Sequence, residues 1–144
     1  MIWLHRPGMV EITAKYDGDL RTTATHGPSG RTLITDAPVD NHGKGESFSP
    51  TDLCAAALVS CMATIMGIKA RSLGVDLAGM SLHVEKHMST DAPRRIIQLP
   101  VTIHAPEAIS EENRTSLEQA ALSCPVFKSL DPEIEKTLVI YWDQ

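Results

Sequence analysis

Three cysteines, Cys54, Cys61 and Cys124, are the side chains of this sequence whose type and placement point to nucleophilic chemistry. A thiolate attacks soft electrophiles or a peroxide oxygen, and its reactivity follows its pKa and exposure. Cys124 immediately precedes Pro125, which suits the first position of a helix. A short helix from Pro125 through Val126, Phe127, Lys128, Ser129 and Leu130 places that thiol at a helix N-terminus, where the dipole favours thiolate. The competing reading of Cys124 is a helix-ending residue packed beneath a loop. Cys61 falls in an apolar run and reads, from its surroundings alone, as a small buried hydrophobe. Cys54 stands seven residues earlier on the same helical face. At about 10 Å along the axis it is beyond disulfide reach and is read as structural.

Other chemistries find less support. The histidines, His5, His26, His42, His83, His87 and His104, show no metal-ligand spacing, and His83 and His87 fall in a strand pattern. No cysteine pair has C-x-x-C spacing, so zinc is not expected. Gly27-Pro28-Ser29-Gly30 and Gly43-Lys44-Gly45 do not complete a phosphate loop, and no G-x-S-x-G elbow occurs. A net charge of -5, with Arg94-Arg95 as the longest basic block, argues against a nucleic-acid partner. The segment Met1 to Gly8 lacks the pattern of a secretory leader, so a cytoplasmic location is expected. The apolar stretch Cys54 to Ile68, broken by Ser60 and Thr64, falls short of the roughly 20 residues that span a bilayer. It reads as a buried helix, and no membrane partner is expected.

The elements that must position these thiols follow from pattern. The 144 residues amount to one domain, read here as 1–144. Val10 to Tyr16 alternates apolar and polar residues, Asp17-Gly18-Asp19 forms a turn, and Leu20 to Thr25 returns as a second strand. A third strand, Arg31 to Thr35, leads into a loop from Asp36 to Phe48. Ser49-Pro50-Thr51-Asp52 starts a helix of about six turns, with Ser49 as cap and Asp52 completing a capping box. That helix stops at Gly74 and, with few charges before Lys69, is expected to be surrounded by protein on most sides. Ser81 to Met88 and Arg95 to Ile103 form a second strand pair, with Pro100 marking an edge or bulge. Ser110 opens a helix with Leu117, Ala121 and Cys124 at helical spacing, and Thr137 to Tyr141 is a last strand. Hairpins rather than alternating strand–helix units predict an α+β fold with antiparallel sheets.

With those motifs in place, the run Phe48 to Cys61 and the distant Cys124-Pro125-Val126 resemble the OsmC/organic hydroperoxide resistance (Ohr) family. Its marks are the Pro50–Asp52–Leu53 helix entrance, a cysteine eleven residues after that proline, and a Cys-Pro 63 residues further on. The resemblance covers nearly the whole chain. It implies an OsmC-like fold with a long buried central helix, an intertwined homodimer, and two active sites at the interface. It also implies a thiol peroxidase of oxidative-stress defence that reduces organic hydroperoxides to alcohols without a metal or bound cofactor. On that resemblance Cys61 is the peroxidatic thiol, Cys124 the resolving thiol, and Arg21 the active-site arginine, with Arg31 its nearest rival. The resemblance further implies an external thiol, or a protein-bound lipoyl group, as reductant.

One position departs from the family. Well-characterised members place a glutamate directly after the proline, where this chain has Thr51, and its acid comes one residue later as Asp52. Asp52 is therefore read both as a capping-box residue and as an active-site carboxylate. It precedes Cys61 by nine residues. That is about 13 Å of helix rise, so a site shared by the two must combine chains. The departure motivates one rival, a non-catalytic OsmC-like dimer binding an apolar or thiol ligand in the interface pocket; a second rival is a dimeric scaffold whose cysteines are only core.

Overall fold

A computed structural model describes residues 7–106 and 108–142. Residues 1–6, which include most of the segment read for a leader, lie outside the described residues. The chain forms two compact units, residues 1–50 and 51–144, and each is described by itself.

The first unit is an antiparallel sheet of β1 (Ile12–Gly18), β2 (Arg21–His26) and β3 (Thr32–Asp36), in that spatial order. The first hairpin turns at Asp19-Leu20, not across Asp17–Asp19: both residues have positive φ, 52° and 62°. The reason is an irregularity between Tyr16 and Gly18 that shifts the register by one residue and carries Leu20 out of the strand and into the turn. The Gly27–Gly30 turn closes the second hairpin with His26 N–H on Arg31 O at 2.8 Å, and it sets Arg21 directly opposite Asp36. The stretch expected to be plain loop holds a single 3-10 turn, Val39–Asn41. Gly43 and Gly45 donate back to Pro38 O and Ala37 O, and a Cβ at Gly43 would collide with Ala37 O. No apolar residue is buried among the described residues of this unit, where the buried side chains are Thr35, Asp36 and Ser49.

The second unit holds the apolar core. Helix α1 (Pro50–Leu73) ends at Gly74, whose φ of 68° suits the left-handed residue after a helix, with Val75 N–H on Ala70 O at 2.9 Å. Strands β4 (Ser81–Val84) and β5 (His87–Met88) are followed by β6 (Ile96–Gln98) and β7 (Val101–His104). The expected long pair is thus two short ladders, β4–β7 and β5–β6, because Pro100, which has no N–H, interrupts the second strand. Helices α2 (Glu111–Leu122) and α3 (Pro125–Ser129) precede β8 (Leu138–Tyr141), which pairs with β7 in parallel. Antiparallel hairpins and meanders with packed helices make an α+β architecture, to which β7–β8 adds one parallel ladder.

The buried stripe of α1 is Ala55, Leu58, Met62, Met66 and Ala70, at spacings of three and four, packed with Leu99, Val101, Ile103, Leu117 and Ala121. The helix is not enclosed on most sides: Ile68 is 61% exposed, and only 28% of its most apolar window is buried. Its bounds, Pro50–Leu73, agree with those read from the Ser49-Pro50 start and the Gly74 stop, and it runs beyond the apolar stretch Cys54 to Ile68 at both ends. By length and composition its 24 residues, with a mean hydropathy of 1.8 over that window, are long and apolar enough to cross a membrane.

Candidate active site

Cys61 lies in the middle of α1, half-buried beside the Leu58–Met62 stripe. Cys124 is fully buried at the N-cap of α3, its backbone extended (φ −63°, ψ 145°) and its Sγ accepting the Phe127 N–H at 3.4 Å. Pro125 at the first helical position forces that cap, as the sequence predicts. Cys61 packs against the buried cluster that holds Cys124 and is one of the groups that act on it, and all three cysteines are free thiols. The structure therefore brings together two cysteines that are 63 residues apart in sequence.

Of the two readings of Cys124, the buried one governs its protonation. Burial pushes its pKa above the ordinary 9.0, and the neighbouring Cys61 sulfur adds to that rise, while the Phe127 and Val126 N–H groups oppose it. Desolvation outweighs the pull of a five-residue helix, so Cys124 holds its proton at neutral pH.

Asp52 and Thr51 sit in the first turn of α1 and share one cation: Lys86 Nζ donates to Asp52 Oδ1 at 2.7 Å and to Thr51 Oγ1 at 2.9 Å. Lys86 comes from the break between β4 and β5 and ties the entrance of the long helix to the sheet. Because α1 is continuous from Pro50, Asp52 and Cys61 of one chain stay about 13 Å apart in helix rise and do not meet.

Arg21 belongs to the first unit. Its Nε and Nη2 donate to the two oxygens of Asp36, each at 2.9 Å, and Nη2 also donates to Glu46 Oε2 at 2.9 Å. Asp36 Oδ2 accepts the Glu46 N–H as well, at 3.0 Å. The guanidinium beside Asp36 holds its carboxyl below the ordinary 3.8, against the opposing effect of desolvation. Arg31, by contrast, stays exposed beside the Gly27–Gly30 turn.

Three residues of these clusters, Asp36, Glu46 and Lys86, escape sequence reasoning. Asp36 had a usable signal: with the turn centred on Gly27–Gly30, equal counting along both strands puts it across from Arg21. Glu46 and Lys86 had none, since each reaches its partner from a loop or a strand break. Among the described residues, no group of three or more His, Cys, Asp or Glu is placed to hold a metal ion.

A half-buried thiol on a long helix and a buried thiol capping a short one are set in an α+β architecture. The OsmC family model, described as OsmC-like protein, matches residues 43–139, and the chain belongs to that family. The chain is similar to a solved structure from Psychrobacter arcticus 273-4, proposed to be an osmotic stress induced and detoxification response protein. The identity is 46% over 96% of this chain and 100% of that one, with a TM-score of 0.88. More distant likenesses are an organic hydroperoxide resistance protein OsmC from Legionella pneumophila and OhrB of Bacillus subtilis. The first is 15% identical over 94% of this chain and 98% of that one (TM-score 0.75), and the second 16% over 92% and 98% (TM-score 0.69). Both share the OsmC-like fold. No curated protein matches the chain.

Proposed function

We propose that this protein is a cysteine-based peroxidase that reduces organic hydroperoxides to alcohols. Family membership supports a role in peroxide-related stress defence, and the pairing of Cys61 with a protonated Cys124 carries the finer reading. The Cys61 thiolate attacks the terminal peroxide oxygen, the O–O bond breaks, and the alkoxide takes a proton to leave as alcohol. Cys61 is left as a sulfenic acid. The Cys124 sulfur attacks it, a Cys61–Cys124 disulfide forms, and water departs. Two equivalents of an external thiol, or one dithiol such as a protein-bound lipoyl group, reduce the disulfide by exchange.

Arg21 is the proposed donor that orients the peroxide and favours the thiolate, since a thiol in an apolar setting is otherwise held neutral. Asp52 can share that site only from a second chain. A cytoplasmic homodimer is part of the same reading. The dimer, though not the location, is supported by the open face of α1 and by a first unit whose sheet exposes Ile12, Tyr16 and Leu33. An apolar approach favours an organic peroxide over hydrogen peroxide.

The test is mass spectrometry of the reduced protein after one equivalent of cumene hydroperoxide, with proteolytic mapping. The expected product is a Cys61–Cys124 disulfide that forms faster than with hydrogen peroxide. If all three thiols stayed reduced, catalysis would be replaced by the second reading, binding of an apolar or thiol ligand, which the Lys86-held Thr51 at the family's glutamate position favours.

A further inference from the structure

The geometry points to Asp36 as the positioning residue of the Arg21 guanidinium, fixing it so that its Nη1 edge is offered to the peroxide, with Glu46 as a looser second partner. The inference rests on the peroxidase reading and on Arg21 acting in it. Within the first unit, Asp36 is set opposite Arg21 by strand register, and its side chain is 2% exposed against 63% for Glu46.

A bidentate fork removes the rotational freedom of a guanidinium, which a single contact cannot do. Asp36 takes both Nε and Nη2, and Glu46 takes a second hydrogen of Nη2, so the described residues leave Nη1 with no protein acceptor. Asp36 is itself pinned by the Glu46 N–H, and its backbone N–H donates to Phe48 O at 3.0 Å. The tight Gly43–Gly45 segment folds the chain back to make those contacts. A desolvated carboxylate with three donors has little room to move, whereas an exposed Glu46 exchanges its contact with water readily. The carboxylates that hold Arg21 come from the end of β3 and the loop after it, while Thr51 and Asp52 at the start of α1 are held by Lys86.

The test compares Asp36→Asn, Glu46→Gln, Arg21→Ala and the double variant Arg21→Ala/Asp36→Asn with the unaltered protein. Asp36→Asn is expected to lower kcat/KM for cumene hydroperoxide on the order of 10²-fold, the cost of misplacing a catalytic group by about 1 Å. Glu46→Gln is expected to cost less than Asp36→Asn. The reduction of the Cys61–Cys124 disulfide by dithiothreitol should keep its rate in Asp36→Asn, which a general loss of structure would not allow. In the Arg21→Ala background the Asp36 change should add nothing. If Asp36→Asn fails to fold, Arg21→Lys keeps the charge without the fork and should lose nearly as much as Arg21→Ala.

Full activity in Asp36→Asn or in Arg21→Lys, or additive losses in the double variant, would overturn the inference. An unaltered protein that consumes no hydroperoxide overturns the peroxidase reading itself. The positioning of Arg21 is then decided by its Nε–H resonance, slow to exchange in the unaltered protein and fast in Asp36→Asn. An Nε–H that exchanges alike in both would sink it.

Discussion

At Cys124 two effects of opposite sign meet on one sulfur. The N-terminus of α3 and the Phe127 N–H favour thiolate, burial favours thiol, and burial wins because a five-residue helix offers a weak pull to a fully enclosed atom. A pKa raised in the fold means that the native state binds this proton more tightly than the unfolded chain does. The stabilising contribution is therefore present below the ordinary 9.0 and is lost as pH climbs from there through the higher native value. Iodoacetamide labelling of the reduced, folded protein should show the same sign. Alkylation of Cys124 is expected to stay slow at pH 8 and to rise with an inflection above 9.0, while in urea it titrates in the ordinary thiol range. An inflection at or below the ordinary value in the folded protein would show that the helix dipole, not burial, governs the site.

Among the elements, the first hairpin carries the clearest local cost. Leu20 occupies the left-handed region with φ of 62° in a two-residue turn that favours Asn-Gly or Asp-Gly. Its backbone is still used, with Leu20 O accepting the Ala37 N–H at 3.1 Å, but its side chain is 44% exposed. Leu20→Gly turns Asp19-Leu20 into Asp-Gly and should stabilise the protein by about 1 kcal/mol, read as a higher midpoint in urea with an unchanged slope. A lower midpoint would mean that the Leu20 side chain is packed in solution. Gly74 and Ser110 show the opposite situation, residues whose chemistry matches the helix ends they occupy.

For the whole molecule the distribution of apolar burial is uneven. Every buried hydrophobic residue described lies in the second unit, while the first is held by its ladders and by Arg21–Asp36. A three-stranded sheet without an apolar core is marginal in water by itself, and a 24-residue helix with one buried stripe leaves an apolar face open to a partner. Sedimentation equilibrium should accordingly give twice the 15.7 kDa chain mass at micromolar concentration. A folded species of the single-chain mass would remove the proposed dimer and with it any site that combines Asp52 with Cys61.

Much of the architecture is legible in the sequence because it is local. Ser110, Pro125 and Gly74 act on their own neighbours, so the ends of the helices can be read from residue type alone. The Cys61 and Cys124-Pro125 motifs likewise identify the family and the candidate thiols. Tertiary structure alone decides what depends on distant chain segments: the parallel pairing of β8 with β7, the single buried stripe of α1, and the joint hold of Lys86 on Thr51 and Asp52. It also decides the protonation of Cys124, because desolvation is set by every atom packed around the sulfur and no pattern of neighbours in sequence encodes it.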